Sequence, residues 1–337
     1  VCYDDGDQET DPHFGMEEQI SMKKRNFCVL AVMMLLLTGC GNKTREQLES
    51  DRDAGIAYMD QAQYEQAVSS FESAYALCDE KMPETKTDIS LYEAACQMKL
   101  EDYESVKNTC TRILELGENA EAYYMRGVAF LKLGDTDAAK ADFDGAAVME
   151  PNDYEMFLSI YQQYEAINQS AVGDQYLQQV LNNESTGLED DYQKGSIYYY
   201  LGDYEKAATA LAKAVEAKKE DAMRLMGQVY LAQGDTQSAW VVYQQYKETF
   251  GETAESYNGL ALCDIADGDY DTALQDIQQG LSLDVSDSSK RDLLYNEIVV
   301  YEKKMDFATA KQKAEEFMQL YPDDEAGQKE YDFLITR

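Results

Sequence analysis

The chain has 337 residues with 65 acidic and 29 basic side chains, a formal charge of −36, seven cysteines and one histidine, His13. That charge excludes a nucleic-acid partner, because phosphate binding needs clustered Lys and Arg, and it disfavours lying flat on anionic lipid. With its one histidine at the extreme N-terminus, the rest of the chain has none for Ser-His-Asp or Cys-His catalysis or for a histidine metal site.

Residues 1–21 are acidic, lack helical periodicity and precede a better start at Met22, so they read as an untranslated or non-native leader. Met22-Lys23-Lys24-Arg25 is a basic run, and Phe27 to Leu37 is an apolar stretch of eleven residues. Eleven is too short to span a bilayer and suits a secretory signal. The stretch ends in Leu37-Thr38-Gly39-Cys40, which resembles the lipobox of bacterial lipoproteins. The resemblance implies a signal peptide over 22–39 and cleavage before Cys40, whose thiol carries a diacylglyceryl group. It places the protein on the outer side of a bacterial membrane. Two acyl chains hold stably where one would not. Removing the seven acids and three bases of residues 1–39 leaves 58 acids and 26 bases, a charge of −32. Residues 40–46 read as a short tether, and Thr44-Arg45-Glu46-Gln47 resembles a capping box at the start of the first helix.

From there a small residue recurs: Ala67, Val106, Ala139, Gly173, Ala207, Ala239, Ala273 and Ala310, at intervals of 39, 33, 34, 34, 32, 34 and 37 residues. A period in this range means a repeat architecture of paired helices. With the small residue as position 20, the third copy reads Tyr123, Gly127, Phe130, Gly134, Ala139, Phe143, Ala146 and Pro151. Gly and Ala sit where two helices approach closely, aromatics fill the gaps between helices, Gly134 makes the turn, and Pro151 stops the second helix. The turn recurs as Glu101-Asp102-Tyr103, Gly134-Asp135-Thr136, Gly202-Asp203-Tyr204, Gly234-Asp235-Thr236, Gly268-Asp269-Tyr270 and Met305-Asp306-Phe307. Two copies are weak. The second lacks Gly at position 8, and the fourth keeps Gly173 but has lost the turn.

This pattern resembles the tetratricopeptide repeat. The resemblance implies an all-α, right-handed superhelical solenoid of about eight helix-turn-helix repeats over 47–323, closed by a capping helix over 324–337 with Ala326, Tyr331, Phe333 and Leu334. It also implies a concave face lined by positions 2, 5, 9, 12 and 13 of each first helix. Those positions include Tyr124, Val128 and Leu131; Tyr192, Ser196, Tyr199 and Tyr200; Arg224, Gln228 and Leu231; Asn258, Leu262 and Ile265; Tyr295 and Val299. Tyr124, Tyr192, Tyr199, Tyr200, Arg224, Asn258 and Tyr295 are the expected partner contacts, since Tyr offers a large, fairly rigid, amphipathic surface. A carboxylate clamp of paired Lys and Asn is not found in this set.

The expected function is a non-enzymatic, lipid-anchored scaffold of the cell envelope that binds a peptide or a protein, a basic one included, with no cofactor and no metal. Two alternatives stay open. One is glycan binding, which would call on Tyr199, Tyr200 and the single Trp240. The other is a carboxylate-only enzyme using Asp190/Asp191 or Asp323/Asp324, although acids at inter-repeat turns more commonly cap helices. Cys78, Cys96, Cys110 and Cys263 show no metal spacing and read as buried thiols, with a Cys96–Cys110 disulfide the alternative in an exported protein.

Overall fold

A computed structural model describes residues 41–182, 187–283 and 286–336, and these fold into seventeen α-helices with no strand among them. The leader, the signal peptide and Cys40 lie outside the described residues. The helices pair as hairpins: α1 (Gly41–Asp60) with α2 (Tyr64–Ala76), α3 (Pro83–Lys99) with α4 (Tyr103–Leu116), α5 (Ala120–Lys132) with α6 (Thr136–Met149), and α7 (Tyr154–Glu165) with α8 (Ser170–Leu181). The remaining pairs are α9 (Leu188–Tyr200) with α10 (Tyr204–Glu216), α11 (Glu220–Ala232) with α12 (Thr236–Phe250), α13 (Ala254–Asp267) with α14 (Tyr270–Leu281), and α15 (Asp287–Lys303) with α16 (Phe307–Leu320). The last helix, α17 (Glu325–Ile335), packs on α16 as the expected cap. Helices α1–α8 form one compact unit and helices α9–α17 a second.

The hairpins close because the recurring small residue leaves no gap. Seven of the eight position-20 residues, from Ala67 to Ala310, are fully buried alanine or valine, and the eighth is the buried Gly173. Opposite them, in three hairpins, a glycine at position 8 takes the ring of position 24: Gly55 with Phe71, Gly127 with Phe143, and Gly227 with Tyr243. A Cβ on Gly127 would lie 2.7 Å from the Phe143 ring, so only glycine lets α5 and α6 meet there. A single hairpin cannot bury this surface alone, and each stacks on the next to make a continuous core within its unit.

The turns share one backbone device. Each hairpin turn has a single residue at positive φ: Ala62, Glu101, Gly134, Asn168, Gly202, Gly234, Gly268 and Met305. Next to it, an aspartate caps the second helix in six hairpins. Asp135, for example, accepts a hydrogen bond from the Ala138 N–H at 3.1 Å, and Asp102, Asp203, Asp235, Asp269 and Asp306 do the same. The fourth hairpin, whose turn signature is missing from the sequence, turns all the same, with Asn168 in the left-handed region at φ 57°. Asparagine tolerates that conformation better than most residues.

The N-terminal end differs from expectation. Helix α1 reaches back to Gly41, so residues 41–46 are helical instead of a tether, and Thr44 lies inside the helix rather than at its start. The i,i+4 pair Arg45–Glu49 at 2.9 Å supports that first stretch.

Candidate partner-binding face

Within each unit the first helices of successive hairpins touch one another: α1 with α3, α3 with α5 and α5 with α7 in one, α9 with α11, α11 with α13 and α13 with α15 in the other. Residues at equal positions on these helices therefore form rows across a shared face. Direct bonds also link neighbouring first helices across this face. Arg52 at position 5 of α1 donates to Asp88 at position 2 of α3 at 2.8 Å. Asn296 on α15 donates to Asn258 at position 5 of α13 at 2.7 Å.

In the second unit, Tyr192, Arg224, Asn258 and Tyr295 occupy position 5 on four consecutive first helices. Tyr192 is half-buried against the core, with the Lys219 ammonium 4.6 Å above its ring. Burial pushes its hydroxyl up to about 12, and the Asp221 charge adds to this. Arg224 is bonded to Asp221 at 2.5 Å; burial works against its charge, but the Asp221 bond outweighs it and the guanidinium is held ionised. Tyr295 sits edge-on to Phe317 at 6.0 Å. At positions 12 and 13 of α9, Tyr199 and Tyr200 meet edge-to-face at 5.8 Å, and Tyr199 also touches Tyr204 at 5.8 Å. Burial raises the Tyr199 hydroxyl to about 12. Tyr124 belongs to the other unit, where its ring lies 6.0 Å from Phe143 and its hydroxyl bonds Ser159 on α7.

Counting the rows exposes a feature the sequence reading missed. Position 2 is acidic in all eight hairpins: Glu49, Asp88, Glu121, Glu155, Glu189, Asp221, Glu255 and Asp292. The signal was available in the same count that gave the small residue. Five of these acids lie in first turns, where the helix dipole favours them. Glu49, Asp88 and Asp292 lie deeper in longer helices, so the dipole does not account for them. Many remain open to solvent: the side chains of Glu49, Glu189 and Asp221 are 59%, 66% and 48% exposed. Their neighbours hold them in place. Lys219 pairs with Glu189, and Ser289 donates to Glu255 at 2.6 Å. The face is thus acidic at one edge and aromatic beside it.

The other candidate chemistries are not assembled. Asp324 caps α17 by accepting from the Gly327 N–H at 2.7 Å, and Asp190 and Asp191 lie in the first turn of α9. Among the described residues no group of three His, Cys, Asp or Glu side chains is placed to hold a metal. Cys96 and Cys110 are free thiols in different core clusters, so the alternative of a disulfide between them does not hold. Trp240 is 44% exposed but sits on α12, a second helix, away from the position-5 row.

Eight helix hairpins, stacked within each unit and each carrying the same buried small residue, define a helical-repeat protein. Residues 120–163 and 192–251 match family models of the tetratricopeptide repeat, so the chain carries tetratricopeptide repeats; residues 228–323 match the coatomer epsilon subunit family. Solenoids of this class are scaffolds for protein–protein interaction. The chain is similar to peptidyl-prolyl cis-trans isomerase FKBP4 of Bos taurus, 29% identical over 123 residues that cover 32% of this chain and 27% of the relative. The Mus musculus protein is 26% identical over 118 residues, covering 32% and 26%. The match thus spans about a quarter of these relatives' length. A tetratricopeptide repeat protein from Parabacteroides merdae shares 14% identity over 75% of this chain and 99% of its own, with a TM-score of 0.49. Pseudomonas aeruginosa pilF shares 17% over 65% and 97%, with a TM-score of 0.37.

Proposed function

We propose that this protein is a lipid-anchored scaffold of the bacterial cell envelope whose first-helix face binds a basic segment of a partner protein. The observation behind this reading is the acidic residue at position 2 of all eight hairpins, lying beside the Tyr192, Arg224, Asn258 and Tyr295 row. A cationic segment laid along either unit would meet a carboxylate on each hairpin while its apolar side chains pack on tyrosine. Anchoring rests on the lipobox-like run Leu37-Thr38-Gly39-Cys40. With helix α1 beginning at Gly41, the anchor would sit next to the solenoid.

The test is capture from a detergent extract of the host envelope with residues 41–337, at low and high salt. The reading expects a partner that elutes with rising salt and that is not captured by a Glu189→Gln, Asp221→Asn, Glu255→Gln variant. Capture unaffected by those changes but lost with Tyr199→Ala and Tyr200→Ala would replace the electrostatic account with an aromatic one. Membrane release of the full-length protein by Cys40→Ala, with loss of labelled fatty acid, tests the anchor separately.

A further inference from the structure

The loop between the fifth and sixth hairpins sets a lysine where other hairpins set a cap. Helices α5, α7, α13 and α15 begin at Asn119, Asp153, Thr253 and Ser286, and each of these side chains accepts a hydrogen bond from the N–H three residues on. Helix α11 begins at Lys219, whose backbone is extended, at φ −70° and ψ 122°, and whose side chain makes no cap bond. A cation there also opposes the positive end of the helix dipole. Lys219 is thus a poor start for its own helix.

Its ammonium serves the neighbouring hairpin instead. It crosses to α9, where it pairs with the Glu189 carboxylate and lies 4.6 Å above the Tyr192 ring. Tyr192 is backed by the core of this unit, so one face of the ring is left for the cation. Glu189 stays largely open to solvent, and its second oxygen has room for another donor. The other position-2 acids of this unit are held differently: Asp221 by Arg224 on its own helix at 2.5 Å, Glu255 by Ser289 at 2.6 Å, and Asp292 by Arg291 at 3.7 Å. At Glu189 alone among these four, the acid and a position-5 tyrosine together bracket a lysine ammonium. A carboxylate beside an aromatic face is also what holds a lysine or arginine of another chain.

We propose that the Tyr192 ring and the Glu189 carboxylate form the subsite for one lysine or arginine of the bound segment, and that Lys219 is a resident ammonium that fills this subsite until the segment displaces it. This rests on the cationic partner proposed above and says where its anchoring side chain goes. The exchange disturbs little else. Lys219 reaches the subsite by a long, flexible side chain from the end of a loop whose preceding residue, Lys218, is exposed at φ 56°. Once out, its charge returns to water. A tethered competitor lowers the apparent affinity by the fraction of time for which it leaves the site open. It also sharpens selection: an uncharged segment cannot replace the ion pair that it breaks, and an acidic one meets Glu189 directly.

Fluorescence anisotropy at low salt, with a labelled peptide carrying lysine at every third position, tests this on residues 41–337, which include every helix described. Lys219→Ser removes the ammonium and supplies the cap found at Ser286. It should raise affinity about tenfold, the gain for a subsite otherwise open about a tenth of the time, with no fall in urea midpoint. Lys219→Arg keeps a cation in the subsite and should leave affinity unchanged. Adding Tyr192→Leu or Glu189→Gln to Lys219→Ser should cancel the gain. Lys304→Met makes a similar change of charge at the opposite end of a first helix, where Lys304 pairs with Asp271, and should raise affinity less than about twofold. Equal gains from Lys219→Ser and Lys304→Met overturn the proposal, since net charge then accounts for both. So does an unchanged or weaker affinity of Lys219→Ser with a lower urea midpoint, which makes Lys219 a strut between two hairpins. Peptide binding that ignores position 219 overturns the subsite alone, whereas no binding of the lysine peptide by any form overturns the cationic partner as well.

Discussion

Arg126 and Asp142 are joined by two parallel hydrogen bonds, 2.7 and 2.8 Å, across the third hairpin, and Glu297 and Lys313 repeat the pair in the eighth hairpin with the charges exchanged, at 3.1 Å. Both pairs link positions 7 and 23. The second hairpin solves the same position differently: Glu93 accepts from Thr109 at 3.3 Å, and Arg112 supplies the cation at 2.7 Å. A site between two helices thus accepts either sign, provided the opposite sign faces it.

The two partners of the third hairpin are unequal. The Asp142 side chain is 8% exposed and the Arg126 side chain 19%, and Arg126 also donates to Thr111 at 3.1 Å. Arg126→Leu therefore strands a buried carboxylate and should cost about 3 kcal/mol, while Asp142→Asn should cost less. Urea unfolding of both single variants and of the swap Arg126→Glu with Asp142→Lys checks this. The swap should recover much of the loss, following the pattern of Glu297 and Lys313.

Four of the eight hairpin turns place a non-glycine residue at positive φ, and Met305, at 58° and 80% exposed, has little else to hold it there. Met305→Gly should stabilise the second unit by about 1 kcal/mol, since the left-handed region penalises a Cβ more than folding penalises glycine. Gly234→Ala, at φ 74°, should cost a similar amount. A rise in urea midpoint for one and a fall for the other, with unchanged slope, is the expected result.

Hairpin number, spacing and the cap were legible in the sequence because close helix contact at position 20 admits only Ala, Val or Gly here, so the small residue betrays the period. The fourth turn was not legible, since Asn168 fills the left-handed position with a residue also common elsewhere. The start of α1 was misread because Thr44 and Gln47 match a cap whether or not a helix already runs through them. At the candidate face, tyrosine suits both solvent and core. The sequence therefore could not tell that Tyr124 packs on Phe143 or that Tyr199 lies between Tyr200 and Tyr204. The position-2 acids escaped notice for the opposite reason: packing places little restriction on an exposed position, so only a count in phase reveals them.

The Tyr243 ring joins two hairpins. A Cβ on Gly227, within its own hairpin, would lie 2.3 Å from the ring, and one on Gly259 of the next hairpin 2.2 Å. The ring is 3% exposed, and its hydroxyl donates to the Arg224 carbonyl at 3.3 Å. Gly227→Ala and Gly259→Ala should each cost about 2 kcal/mol by overpacking. Tyr243→Leu should tolerate either alanine better than the natural ring does, a coupling that a double-mutant cycle measures.

Burial also decides the chemistry of the thiols. It pushes Cys96 up to about 11 and Cys110 and Cys263 to about 12, so little thiolate exists at neutral pH. Cys78 is only half-buried, and its thiol donates to the Ala74 carbonyl at 3.6 Å. In residues 41–337, alkylation at pH 8 should therefore modify Cys78 first and reach Cys263 only as the chain unfolds. Because Cys96 and Cys110 are not joined, a reducing agent should leave the melting temperature unchanged. A drop on reduction, together with protection of Cys96 and Cys110 from alkylation in denaturant, would instead reveal a crosslink in the second hairpin.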